Sequence, residues 1–207
     1  MATVIFDFDG TIADSYEYVL GFLRREAKRK QLVDEHEKVE LRGHSMISIA
    51  RRLGMPWWRM PFLFLKGRKE MAQYIDQIPI FKEMDDLLRA LYANGNQLFI
   101  ISSNSDININ HFLDRYNLKQ YITKVYGGAG VFGKTPLLKR AIKEYNIETE
   151  RCWYIGDEVR DIKAARRAGI QAIAVTWGYN NAEILYKQKP TKVAFTPEDI
   201  RKVLSVN

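Results

Sequence analysis

Short, nearly unbroken apolar runs alternate along this chain with stretches in which apolar residues recur every three or four positions, and the alternation predicts the architecture. The runs "TVIFDFDG" (3–10), "QLFIISSNS" (97–105), "ITKVYGG" (122–128), "CWYIGD" (152–157), "IQAIAVTWG" (170–178) and the weaker "KVAF" (192–195) have the composition of buried strands. Between 15 and 75 the pattern is helical throughout: "SYEYVLGFLRREAKRK", "HSMISIARRLG" and "WWRMPFLFLKGRKEMAQYI". From 81 onward helices alternate with strands: "FKEMDDLLRALYANGN" ends at an Asn-Gly turn, "TPLLKRAIKEYNI" has Pro136 in its first turn, and "VRDIKAARRAG" closes on Gly169. That order predicts an α/β, Rossmann-like parallel sheet sandwiched by helices, formed by 1–14 and 80–207, with a helical insertion over 15–79 after the first strand.

Composition narrows the class. With 207 residues, 46% hydrophobic and 28% charged, the chain has ordinary globular proportions and can bury a substantial core. A single cysteine, Cys152, in the apolar run "CWYIGD" excludes a disulfide framework or cysteine metal site and reads as a buried structural thiol. No signal-peptide pattern opens the sequence and no apolar stretch reaches the roughly 18 residues of a membrane span. A soluble cytoplasmic protein is expected, as monomer or homodimer. The net charge of +7 is scattered in "RREAKRK", Arg51, Arg52 and "KGRK", which reads as a solvated basic surface and not a nucleic-acid groove.

In parallel α/β sheets ligands sit beyond the carboxyl ends of the strands. Those ends carry Asp7 and Asp9 in "DFDGT", Ser103 and Asn104 in "ISSNS", and Asp157 in "YIGDEVRD", with Asp161 four residues later. The period of two in an extended strand turns Asp7 and Asp9 to the same side. A helix starting after Asp157 brings Asp161 round to the same point. Converging carboxylates repel one another unless a cation lies among them, and oxygen ligands without histidine or cysteine select a hard ion, Mg²⁺. A metal held partly by protein keeps positions open for a phosphate oxygen, which makes phosphoryl transfer the natural chemistry. Each element alone has an ordinary reading as a turn or helix cap. "GGAGVFGKTP" also satisfies the phosphate-loop pattern through Gly128, Gly133, Lys134 and Thr135.

Together, "DFDGT", "FIISSN", the lysine of "GKTP" and "GDEVRD" resemble the four motifs of the haloacid dehalogenase superfamily. The helical block resembles that family's mobile cap. "DFDGTIADS", "IGDEVRDIKAARRAGI" and "VTWGYN" look most like its phosphoglycolate phosphatase-like branch. The resemblance implies Asp7 as the nucleophile that becomes an aspartyl phosphate and Asp9 as the acid that protonates the leaving oxygen and then activates water. It implies Ser103 as a hydrogen-bond donor to the phosphoryl oxygens and Lys134 as a neutralising cation. Mg²⁺ would be held by Asp7, Asp157 and the backbone carbonyl of Asp9, supported by Asp161. Backbone N–H groups in the tight loop at Gly10 and Thr11, together with Asn104, would meet the phosphate.

For the insertion, Arg42 and His44 in "LRGHS" are the candidates to recognise a small anionic substrate, a phospho-carboxylate or a sugar phosphate; the competing reading is a solvated turn. "MPWWRMPFLFL", with Trp57 and Trp58, reads as core of the insertion before it reads as a ligand platform. A small-monoester phosphatase is the leading function. A phosphomutase, a phosphate-loop NTPase and a non-catalytic binding module are the alternatives.

Overall fold

The computed structural model describes residues 1–27, 44, 46–129 and 133–205. Six strands form one sheet: β1 (Thr3–Phe6), β2 (Gln97–Ile101), β3 (Lys124–Tyr126), β4 (Cys152–Gly156), β5 (Gln171–Val175) and β6 (Lys192–Ala194). Every pairing is parallel, in the order β3-β2-β1-β4-β5-β6. The order reverses at β1, which has β2 on one side and β4 on the other. In such sheets a crevice opens at that switch point.

Side chains of successive strand residues leave opposite faces, so each strand feeds two cores. Val4, Phe6, Leu98, Ile100, Ile155, Ile173 and Val175 face one layer, formed by α4 (Met84–Ala93), α5 (Asp106–Arg115) and α9 (Pro197–Val203). Ile5, Phe99, Ile101, Tyr154, Ala172 and Ala174 face the other, formed by α6 (Thr135–Glu144), α7 (Val159–Ala168) and α8 (Ala182–Tyr186). Burial on both faces explains why the strands read as continuous apolar runs. The helices read by their period: α4 buries Met84, Leu87, Leu88 and Leu91, three and four apart. Gly169 ends α7 at φ 75°, a left-handed cap that suits glycine.

Between β1 and α4 the described residues form α1 (Tyr16–Glu26), α2 (Met46–Arg52) and α3 (Met60–Tyr74). Tyr16, Leu20, Phe22, Leu23, Ile49, Leu53 and Leu63 make a separate apolar cluster there, joined from the sheet side by Tyr179. The lower end of α3 does otherwise, since Met71, with Ile75 and Ile78 beyond it, packs into the first sheet core. Trp57 and Trp58, expected in the insertion's core, are 77% and 59% exposed. They stand on a short 3₁₀ turn after Pro56, which points them outward, while Met55 and Leu63 take the buried positions. No helix among the described residues is long and apolar enough to cross a membrane.

Phe112 on α5 packs edge to face against Phe8, the residue between Asp7 and Asp9, with ring centroids 5.0 Å apart. Phe112→Ala is expected to lower unfolding free energy by about 3–5 kcal/mol in urea titration. A loss below about 1 kcal/mol would mean the site loop does not depend on this contact.

Candidate active site

Strand β1 ends at Phe6, and the chain then folds back on itself. The N–H groups of Ile12 and Ala13 both donate to the Phe8 carbonyl, at 2.9 and 3.0 Å, with Gly10 at φ 77° in the bend. The extended geometry that would align Asp7 with Asp9 therefore stops before either is reached. Asp7 turns inward: Oδ1 accepts the Phe8 N–H at 2.7 Å, and Oδ2 forms an ion pair with Lys134 Nζ. Lys134, at the start of α6, also donates to Asp161 Oδ1 at 2.6 Å. All three side chains are buried, so one ammonium joins two carboxylates out of reach of water.

Asp157 lies just past β4, beside β1. Its Oδ1 accepts the Thr11 hydroxyl at 3.0 Å and its Oδ2 the Tyr179 N–H at 2.7 Å. Two glycines make this approach possible. A Cβ on Gly178 would overlap both the Asp157 carboxylate and the Gly10 carbonyl, and one on Gly10 would strike the same carboxylate. Asp161 is fixed as the N3 residue of α7, its Oδ2 accepting the Glu158 N–H at 3.0 Å in a capping box.

Oxygens of Asp7, Asp157 and Asp161 lie within 4.8 Å of one another. Burial, then the charges of Glu158, Asp7 and Asp161, push the Asp157 carboxyl well above the usual carboxylate range. Burial also raises Asp7, against the pull of Lys134. Burial alone would depress Lys134, but Asp161 and Asp7 carry it above its ordinary value. A cluster of buried oxygen donors whose charges oppose one another fits a hard divalent cation. The side chain of Asp9 is outside this cluster.

Asp9 faces the other way. Asn104 Nδ2 reaches its carboxylate at 3.1 and 3.3 Å, and Asp9, Ser103 and Asn104 together line a cavity of about 120 Å³ under α1 and α3. Burial and the charge of Asp7 push the Asp9 carboxyl up to about 6. Asp7 and Lys134 lie behind this wall and do not line the cavity.

The remaining residues singled out in the sequence fall elsewhere. The N–H groups of Gly10 and Thr11, expected to meet a phosphate, donate instead to the carbonyls of Ala13 and Phe8 at 2.9 and 3.3 Å. These two residues shape the carboxylate cluster, with Thr11 fully buried. Arg42 lies outside the described residues. His44 touches the sheet layer through its backbone carbonyl, which accepts from Asn180 Nδ2 at 3.0 Å, and it does not line the cavity. Sequence reasoning passed over Glu158, Arg160 and Tyr179, and it read Arg68, in "KGRK", as part of a solvated basic surface. Arg68, Arg160 and Tyr179 line the cavity, and Glu158 is the buried partner of Arg160. The charges of "GDEVRD" carried a signal for Glu158 and Arg160; nothing local set Arg68 apart from the other basic residues of its run.

Comparison with known proteins shows the family. The model of the family described as haloacid dehalogenase-like hydrolase matches residues 4–175, and the chain belongs to that family. Within it, the protein is a phosphatase of the phosphoglycolate phosphatase-like branch. The phosphoglycolate phosphatase of Synechococcus elongatus is 32% identical over 99% of this chain and 98% of its own length. A relative with another name, the tyrosine-protein kinase PtkA of Mycobacterium bovis, is 25% identical over 98% of this chain and 72% of its own. Among solved structures, a haloacid dehalogenase-like hydrolase from Streptococcus pneumoniae superposes with a TM-score of 0.80 at 20% identity, covering 98% of each chain.

Two expectations follow from the charges. If Asp9 acts as an acid, the form needed for the first step is the protonated one, and it is lost as pH rises through about 6. The kcat/KM profile should then descend above about pH 6, and Asp9→Asn should lack that limb. A wild-type profile flat from about pH 5 to 8 would remove Asp9 from the acid role. Second, Mg²⁺ at about 100 times its Kd should stabilise the fold by about 2.7 kcal/mol, or roughly 5–10 °C in melting temperature, and Asp157→Asn should lose most of the shift. Equal melting with Mg²⁺ and with EDTA would count against the site.

Proposed function

We propose that the protein hydrolyses a small phosphate monoester in two in-line steps, with Asp7 as nucleophile and Asp9 as general acid and base. The observation that carries this reading is the division between the two aspartates. Asp7 is locked against Lys134 at the buried floor, and Asp9 opens on the cavity where a leaving group can lie. A carboxylate oxygen of Asp7 attacks phosphorus, the ester P–O bond breaks, and Asp9 gives its proton to the departing oxygen. Asp9, now a carboxylate, takes a proton from water as that water attacks the aspartyl phosphate, releasing inorganic phosphate and regenerating Asp7.

Around this pair, Lys134 offsets charge on Asp7 and the incoming phosphate, and the Ser103 hydroxyl at the cavity wall donates to a phosphoryl oxygen. Asn104 holds the Asp9 carboxylate in place. Asp7, Asp157, Asp161 and the Asp9 carbonyl would hold Mg²⁺, whose chemistry is neutralisation of the phosphoryl oxygens. Helices α1 and α3 would cover the cavity as a cap and exclude bulk water. The name of the Synechococcus relative supports a small ester. The kinase name of the mycobacterial relative leaves the identity of the acceptor as the point to test.

With Mg²⁺ and a panel of small monoesters plus p-nitrophenyl phosphate, the wild type should release inorganic phosphate. Asp7→Asn should fall below detection, and Asp9→Asn should slow by ~10²–10⁴. Full activity in Asp7→Asn, or phosphoryl transfer to an organic acceptor without phosphate release, would overturn the hydrolase mechanism.

A further inference from the structure

The cavity beside Asp9 also contains two guanidinium groups that the chemistry above does not use. We propose that Arg68 and Arg160 form a subsite for a second anionic group, on the leaving portion of the substrate. This rests on the phosphatase reading for the position of the phosphate, and it chooses between the two substrate types left open by the sequence.

Arg68 comes from α3, in the insertion. Its Nε donates to the Ser103 carbonyl at 2.7 Å and its Nη2 to the Ala129 carbonyl at 3.2 Å, in the loops that follow β2 and β3. Asn108 Nδ2 holds the Arg68 backbone carbonyl at 3.0 Å. The guanidinium is thus aimed by hydrogen bonds, yet no carboxylate among the described residues lies within ion-pair distance of it. Glu70, two residues on, also borders the cavity, but it is paired with Arg25. Two carbonyl dipoles orient the Arg68 charge without cancelling it.

Arg160 comes from the sheet side, in the first turn of α7. Its Nε meets Glu158 Oε1 at 2.9 Å. The Glu158 side chain is 2% exposed and that of Arg160 is 38% exposed, so the ion pair anchors the arginine from behind while its outer side stays open. The other walls are mostly hydrocarbon, from Phe22, Leu23, Leu63 and Met71, and offer a sugar's hydroxyls few partners beyond the phenol of Tyr74. A polyhydroxylated leaving group would lose water contacts there and gain few in return. A compact leaving group ending in a carboxylate or a second phosphate would instead give the guanidinium forks planar or tetrahedral oxygen acceptors. Because one arginine belongs to the insertion and the other to the sheet layer, an anion held by both would also draw the insertion onto the core.

The test is equilibrium binding, with Mg²⁺ present, of three phosphonates that cannot be hydrolysed: ethylphosphonate, 3-phosphonopropionate, and ethane-1,2-bisphosphonate. The wild type should bind at least one of the two double anions about 10- to 100-fold more tightly than ethylphosphonate. Whichever is preferred identifies carboxylate or phosphate as the second group. Arg68→Gln should reduce that preference about tenfold or more, and Arg68→Lys, which keeps the charge but loses the fork, should reduce it less. Arg160→Lys, which can keep its pair with Glu158, should also reduce it, and melting curves of each variant will show that it is folded. Equal affinity for all three ligands, no binding of any, or an Arg68→Gln loss that is the same for all three would overturn the subsite. Turnover of p-nitrophenyl phosphate by the wild type, measured alongside, reports on the phosphatase reading separately.

Discussion

A single ammonium group ties the ends of three elements together. Lys134, at the start of α6, bonds Asp7 beyond β1 and Asp161 in the first turn of α7. A buried charge is tolerable only when paired, and removing one partner leaves the others uncompensated. The arrangement is incomplete in charge even so. Asp7, Asp157 and Asp161 bring three carboxylates against one lysine, while Glu158 and Arg160 cancel each other. A divalent cation would close that deficit, and an incoming phosphate dianion would reopen it. Metal, lysine and substrate would therefore be coupled through one electrostatic balance.

The order of apolar runs was enough to anticipate the parallel sheet, because strands buried on both faces must be apolar throughout. Asp157 and Asp161 were legible for a related reason: they mark a strand end and the first helical turn after it, where spacing dictates direction. Spacing failed at Asp9. The period of two assumes an extended chain, and the fold-back from Phe8 to Ala13 ends that geometry. It failed again at Trp57 and Trp58, where a 3₁₀ turn after Pro56 defeats the helical period. Arg68 read as solvated surface because its neighbours Ser103 and Ala129 are distant in sequence. Its role depends on how the insertion sits on the sheet, and no local pattern encodes that.

The two sides of the site obey different physics. The floor is dense with charge, closed to water and held by glycines that let Gly10 and Gly178 press against Asp157. Its geometry tolerates little change, as a preorganised electrostatic site requires. The opposite wall is mostly hydrocarbon with a few polar atoms at its margins. Apolar walls accept substitution of similar volume far more readily than bonded charges do.

The chain enters and leaves the insertion at nearly the same place. Asp14 N–H donates to the Pro79 carbonyl at 2.9 Å, Phe81 N–H to the Ile12 carbonyl at 3.0 Å, and Ala13 pairs antiparallel with Ile80. These bonds close a neck beneath everything between residues 14 and 79. To the sheet, the insertion is topologically a side loop: above the lower end of α3, which packs into the sheet core, its length can change at the neck without altering the path of any strand. The carboxylate floor and the apolar wall above it can thus vary separately within one polypeptide.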